Sequence, residues 1–523
     1  MRRFTSNSRC LFRQSCVVLL FLFVIAGLLV VVSASPAFYH QQEDWRLLRS
    51  VSPATSTIGP SPLSTPRGGV ASLGKRKPSS KASGVLSTQQ RNAVASTSGT
   101  AAKQSTDGAS IANMIFNLVK SIVGAGVLGL PAGVAAFGST NLALIPSIVL
   151  ISVIGMLSAY CFSLIGRICA YTSSVSYRQA WERSVSAKTS WIPALACFMV
   201  TSCSVLAYSM ILSDTVPILL GAFTPYKSVT RTQALFGVTT VALLPLCLMK
   251  SLKALGPFSL VGIVGMIYTS MAMALRYFDG SYRDGGRYFL TLPAEFLPNF
   301  AETGSSSLVD LVLNPKLFIL VSMLSTAYMA HYNASKFYWE LENNTLKRYQ
   351  TVVGISFGIS LCLFVTVASF GFATFGTSCA GLVLQNYSTT DTLMSLSRIA
   401  VALSILFSYP LAFVGVREGL LDLIQVPQSK RSNTLLNAVT VVLLSVITGM
   451  AYLLKDLRTL LAFNGATWGN AVIYLLPTYM FVSCVKTKLP KRQELQAEVP
   501  WVIATGFVGM FMGIIGTMLA VKG

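Results

Sequence analysis

Charge is what this 523-residue sequence has little of: Asp, Glu, Lys and Arg make up 11% of it, against 53% for hydrophobic residues. A soluble chain carries about a quarter charged residues, so an ordinary soluble fold is excluded. Histidine is nearly missing, with only His40 and His331. The ten cysteines include no C-x-x-C pair, and most fall within apolar runs as small packing residues. No metal-ligand spacing is present, and no pair of acids falls on facing apolar segments. A metal centre, a cofactor and an intramembrane enzyme are therefore all left without a basis.

What the chain does have is apolar runs, each approaching the ~20 residues needed to cross a bilayer. Eleven spans are expected, at 111–136, 141–166, 191–220, 233–249, 256–276, 316–338, 350–375, 393–416, 434–454, 459–484 and 500–521. The formal net charge of +22 is no nucleic-acid signature, because of where it lies. Residues 1–110 hold thirteen Lys/Arg against Glu43, Asp44 and Asp107, and most of the remainder sits between spans. Placing the start of the first span on the cytoplasm-like side puts Arg167, Arg178, Lys250, Lys347, Lys430 and Lys486 in inner segments, as the positive-inside rule requires. The same orientation puts the sequon Asn386-Tyr387-Ser388 outside.

The leader has two parts. Arg2, Arg3, Arg9 and Arg13 precede the apolar run 16–32, and Val32-Ser33-Ala34 suits a signal-peptide cleavage. Residues 45–106 then contain no acid, many Ser and Thr, and scattered Lys and Arg. That segment reads either as a disordered basic tail or as a transit peptide. The pair resembles a bipartite plastid leader. The division expected is 1–34 leader, 35–108 basic segment and 109–523 transmembrane domain.

Two spans contain residues that lipid penalises. "KSIVGAGVLGLPAG" at 120–133 places glycines, a proline and Lys120 inside the first. "STAYMAHYNAS" at 325–335 places Tyr328, His331, Tyr332 and Asn333 inside the sixth. An unpaired backbone group costs several kcal/mol in hydrocarbon, so such interruptions survive only where they line a cavity or are buried in protein. Broken spans at matching positions of two halves point to the binding site of an inverted-repeat transporter. Here the first and sixth spans give a five-helix repeat. Gly124, Ala125, Gly126 and Val127 would offer amides to a carboxylate, while Tyr328, His331, Asn333 and freed carbonyls would receive an ammonium. A ligand with both groups is an amino acid. Close helix packing is the alternative for the glycines, and a hydrogen-bonded core histidine for His331.

These stretches resemble the amino acid/auxin permease family. "FNLVKSIVGAGVLGLPAG" at 116–133 is similar to its first-helix signature, and "AYMAHYNASKFYWEL" at 327–341 to the sixth helix of its sodium-coupled neutral transporters. Arg398 through "SYPLAFVGVR" and "LLAFNGATWGNAVIYLLP" at 460–477 resemble its eighth and tenth helices. The resemblance implies an all-α integral membrane protein with a LeuT-like five-plus-five inverted repeat, broken helices 1 and 6, and eleven transmembrane helices. It also implies secondary transport of amino acids. The sodium-coupled branch has an Asn where this chain has Lys120, and a Thr where Ser408 stands. A Lys there resembles the proton-assisted and vacuolar members, although those of animals carry a His where this chain has Asn117.

Lys120 and Ser408 are thus the expected ion-coupling residues, with a proton or else sodium as the coupling ion. Snorkelling is the alternative for Lys120, but the residue stands about 14 Å into its span. Arg398 and Arg417 are expected as interface anchors at the two ends of the eighth helix. Small neutral amino acids are the expected substrates, since no anion is set to pair a cationic side chain. An amino acid sensor, with the leader as effector arm, is the alternative of another class. N-terminal sequencing of the mature protein separates the leader readings: a start well beyond residue 35 fits the bipartite leader, and a start at residue 35 itself leaves plain secretion.

Overall fold

A computed structural model describes residues 108–223, 229–249, 258–302, 307–424, 426, 430–489 and 492–522. The expected leader, and all of the basic segment but Gly108, lie outside the described residues. Seventeen α-helices and no β-sheet are present among the described residues. They are α1 (Ile111–Ile122), α2 (Leu130–Ala135), α3 (Leu144–Thr172), α4 (Tyr177–Ser184), α5 (Trp191–Phe223) and α6 (Arg231–Val238). Next come α7 (Leu244–Leu248), α8 (Phe258–Asp279), α9 (Leu308–Leu313), α10 (Leu317–Ala327), α11 (Ala334–Trp339) and α12 (Leu346–Phe375). The last are α13 (Thr392–Leu423), α14 (Asn433–Leu453), α15 (Leu457–Asn464), α16 (Leu476–Lys488) and α17 (Gln493–Lys522).

By length and composition, eight described segments are able to cross a membrane, or nine if α1 and its continuation count as one bent span. Of the two further spans expected, one corresponds to α8 and the other to the interrupted pair α10 and α11. Three of the long helices start where a polar side chain satisfies an orphan amide. Thr345 caps α12, Asp391 caps α13 and Ser432 caps α14, each accepting from a backbone N–H of the first turn. Inside the spans, hydroxyls bond back to the preceding turn, as Ser147 does to the Ala143 carbonyl at 2.7 Å. That is how a serine is tolerated where no water reaches it.

The non-helical backbone at the ends of the interrupted spans is tied down in two places. Before α1, the Ala109 amide donates to the Glu340 carbonyl (2.8 Å), and the Glu342 amide donates to that of Ala109 (3.0 Å). Gly108 is needed for this approach, because a Cβ there would lie 2.5 Å from the Glu342 amide nitrogen. Ahead of α10, the Ala301 amide donates to the Ser139 carbonyl beyond α2 (2.9 Å). The Asn299 carbonyl accepts from Thr377 (2.9 Å), next to Gly376, whose φ of +61° suits a residue without a side chain. The segment leading into each interrupted span is therefore bonded to the segment leaving the other.

Three expectations are corrected here. Arg398 is no interface anchor: it is buried, and its guanidinium donates to the carbonyls of Leu384 (2.9 Å), Tyr387 (2.5 Å) and Ser388 (3.3 Å). An arginine serves this loop because several N–H groups diverge from one plane. Arg417, toward the other end of α13, donates to Thr440 at 3.2 Å. Arg167 is not a loop charge but a buried residue of α3, in a bidentate pair with Glu498 of α17 (2.6 and 2.9 Å), with the Tyr160 hydroxyl on the same carboxylate. The sequon fails as well. Asn386 is fully buried, and its side-chain amide bonds Ala380 and Ser378 (2.8 and 2.7 Å), so the folded chain does not present it to a glycosyl donor.

Arg398→Met keeps the apolar stem and removes the donors. Each carbonyl left unpaired costs ~1–3 kcal/mol and the Ser388 carbonyl keeps the Asp391 amide, so unfolding of the detergent-solubilised protein should show a loss of roughly 2–6 kcal/mol. A variant as stable as the parent would mean that those carbonyls find other partners.

Candidate functional site

The first interruption begins at Val123, whose ψ of 75° takes the chain out of α1, and Gly124 follows in an extended conformation. A 3-10 stretch, Ala125–Gly129, then leads into α2, with Pro131 in the first turn, where its missing N–H costs nothing. The axes of Ile111–Ile122 and Gly126–Ala135 differ by 43°. The first amides of a 3-10 turn have no partner within it, so they are available to an acceptor outside.

The second interruption follows Ala327. Tyr328, Met329 and Ala330 leave α10, His331–Asn333 form one 3-10 turn, and α11 resumes at Ala334. The two interruptions touch. A Cβ on Gly126 would lie 3.0 Å from the Ala327 Cα, so the backbones meet where the sequence has glycine against alanine.

Beside the first interruption lies a cavity. Its lining comes from Lys120, Val123, Gly124 and Leu128, from Tyr208 on α5 and Met266 on α8, and from Val401, Ser404, Ile405 and Ser408 on α13. Lys120 and Ser408, expected together from sequence, do line one space. The Ser408 hydroxyl donates to the Ser404 carbonyl (2.7 Å), which leaves its lone pairs for another partner. Gly124 faces the Tyr208 hydroxyl, 3.3 Å from where a Cβ would stand.

The other expected binding residues are placed elsewhere. Val127 is buried, and Gly126 is taken up by the contact with Ala327. Ala125 contributes backbone to the 3-10 stretch. Tyr328 points at α3, where its hydroxyl donates to the Ile151 carbonyl (3.1 Å), and its ring packs on Phe364 and Phe357. His331 is fully buried; its Nε2 lies 2.9 Å from the Ser158 carbonyl, so Nε2 carries the proton. Its ring meets Phe162 edge-on at 5.4 Å. Asn333 leads into α11 and bonds Ala330 through its backbone (3.0 Å). Neither Tyr328, His331 nor Asn333 lines the cavity.

Sequence reasoning missed Tyr208, Met266 and Ser404, because nothing in the residues next to each of them marks it. It also missed the two π-helical stretches, Gly465–Gly469 and Ala471–Leu475, between α15 and α16. Gly465 there admits the Ser322 carbonyl of α10, and Thr326 donates to the Leu461 carbonyl (2.6 Å). The run "FNGATWGN" was the available signal, since π-bulges gather at functional sites.

Gly126→Ala should lower stability by about 1–3 kcal/mol, because its neighbour is backbone and has nowhere to turn. Gly124→Ala, facing the far end of the Tyr208 side chain, which can give way slightly where backbone cannot, should cost less than about 1 kcal/mol. Thermal unfolding of both variants checks this, and equal effects would contradict the contact with Ala327.

Residues 107–519 match the model of a family described as transmembrane amino acid transporter protein. A relative named putative sodium-coupled neutral amino acid transporter 11, from Danio rerio, is 23% identical over 412 residues, which cover 78% of this chain and 86% of that protein. The crystal structure of MhsT in complex with L-phenylalanine aligns over 78% of this chain and 98% of that one, at 13% identity and a TM-score of 0.47. The matched family model spans most of the sequence and every helix described above except the last few residues of α17, and this chain is a multi-pass membrane protein of the transmembrane amino acid transporter family.

Proposed function

We propose that this chain is a secondary active transporter of small neutral amino acids, coupled to protons through Lys120, on a LeuT-like five-plus-five inverted repeat with an eleventh helix. The observation that carries the coupling is the cavity in which Lys120 from the first span meets Ser404 and Ser408 from α13. An ammonium in that space leaves little room for a bound cation, and a desolvated lysine is able to exchange its proton. The repeat is supported by the two interruptions, and by the reciprocal bonding of Ala109 with Glu340 and of Ala301 with Ser139. A two-fold relation between halves would produce such an exchange of partners. The neutral substrate class is supported by the lining itself, which contains no acidic side chain among the described residues.

Gly124 to Val127 would meet the substrate carboxylate through backbone amides. Tyr328, His331 and Asn333 are proposed to act in a state other than this one, since the first two are packed against α3 here. A plastid membrane is the proposed location, and it rests on the leader alone.

Sodium coupling is the second reading. It is favoured by the two serine hydroxyls in the cavity and by the name of the Danio rerio relative. Uptake of radiolabelled alanine into proteoliposomes separates the two. An imposed proton gradient should drive uptake with no sodium present, and Lys120→Asn should flatten the pH profile. Uptake that follows sodium and ignores pH would reverse the assignment, and binding without flux would favour a sensor.

A further inference from the structure

The helix facing Lys120 across the cavity carries a gap where a side chain would be. Gly262 on α8 is buried, and a Cβ built on it would lie 2.5 Å from the Ser404 Oγ, 3.4 Å from the Ser404 Cβ and 3.8 Å from the Lys120 Cε. The Lys120 stem and the Ser404 hydroxyl therefore border one notch, which exists because residue 262 has no side chain. The ammonium, one bond beyond Cε, works in the same space. Three residues on, Gly265 meets Ala400, one turn before Ser404, so α8 and α13 approach closely along this line. Small residues do allow such contact for packing alone. Packing does not require a hydroxyl at 404, where alanine would pack as well.

We infer that Ser404 is the positioning residue for Lys120: its oxygen accepts a hydrogen bond from the ammonium form, and Gly262 keeps open the notch in which the two meet. The inference rests on the reading of Lys120 as the coupling group. Ser404 is preferred to Ser408, whose lone pairs are also free, because it is the Ser404 hydroxyl that borders the Gly262 notch together with the Lys120 stem. Among the described residues of the lining, Tyr208 on α5 is the titratable side chain beside Lys120. On the other sides α8 presents Gly262 and Met266, and α13 presents Val401, Ser404, Ile405 and Ser408. The α12 helix also packs on α1 but lends no residue to the lining.

An acceptor for the ammonium favours the protonated form, so removing it confines that form to lower pH. Ser404→Ala should move the pH midpoint of alanine uptake acid by about one unit, the worth of one hydrogen bond to a charged group. Apparent affinity for alanine is measured for each variant at its own pH of best uptake, so that the midpoint shift is read apart from substrate binding. Gly262→Ala should give the same acid shift, because the Ser404 hydroxyl is the mobile end of a small side chain and turns out of the notch. The double variant should be no worse than Ser404→Ala alone, as two changes acting through one hydroxyl require.

The measurement uses the full chain in proteoliposomes over a pH series, with thermal unfolding of each variant alongside. A pH-dependent parent whose profile is unmoved by Ser404→Ala overturns this inference and leaves Lys120 as the coupling group. Additive effects of the two variants, or a Gly262→Ala effect confined to stability, reduce the notch to packing and also overturn it. A parent indifferent to pH removes the reading of Lys120, and this inference falls with it.

Discussion

A backbone amide or carbonyl inside a bilayer has no water to pair with, and the rest of this structure follows from that. Most of the described chain meets the demand with uninterrupted helix. Where helix gives way, other protein takes over the pairing. Ala109 and Glu340 tie the segments flanking the interrupted spans at one place, and Ala301 and Ser139 do so at another. Arg398 gathers three carbonyls of the 384–388 turn that no helix could satisfy. Even Gly126 of the first interruption is used for backbone contact with Ala327.

The same scarcity of water decides how charge is handled. Arg167 enters the interior of α3 only with Glu498 and the Tyr160 hydroxyl around it, and Phe481 lies under its guanidinium at 5.3 Å. Arg276 reaches Asp391 in a bidentate pair (2.8 Å for each bond), with the Tyr282 hydroxyl as a third partner. These cations have acids, and breaking such a pair is costly because it strands the other charge. Lys120 lies in a cavity that it shares with the hydroxyls of Tyr208, Ser404 and Ser408, and that shared space is why its proton is the one we assign to transport.

Apolar patterning, the interruption residues and the odd position of Lys120 were legible along the chain because each is local. Helix breakers in a greasy run need no partner to be noticed, and neither does a lysine 14 Å deep in a span of ~1.5 Å per residue. Ser404, Tyr208 and Gly262 could not be noticed that way. A serine, a tyrosine and a glycine are unremarkable in any one span, and their importance comes from facing Lys120 across helices distant in sequence. Arg398 and Asn386 failed in the opposite direction. Local patterning put one at an interface and the other on the surface, while tertiary folding buried both and used them to hold one turn.

By itself, then, the sequence determined that the chain lives in a membrane and crosses it with apolar helices, since the cost of exposing polar backbone to lipid is met residue by residue. Which side chains share a cavity was decided by tertiary structure alone. His331 and Tyr328 looked like cavity residues from their place in a broken span, yet hydrogen bonds to the Ser158 and Ile151 carbonyls turn both toward α3. The direction a side chain faces depends on which neighbouring helix offers it a partner, and spacing within one span carries no record of that.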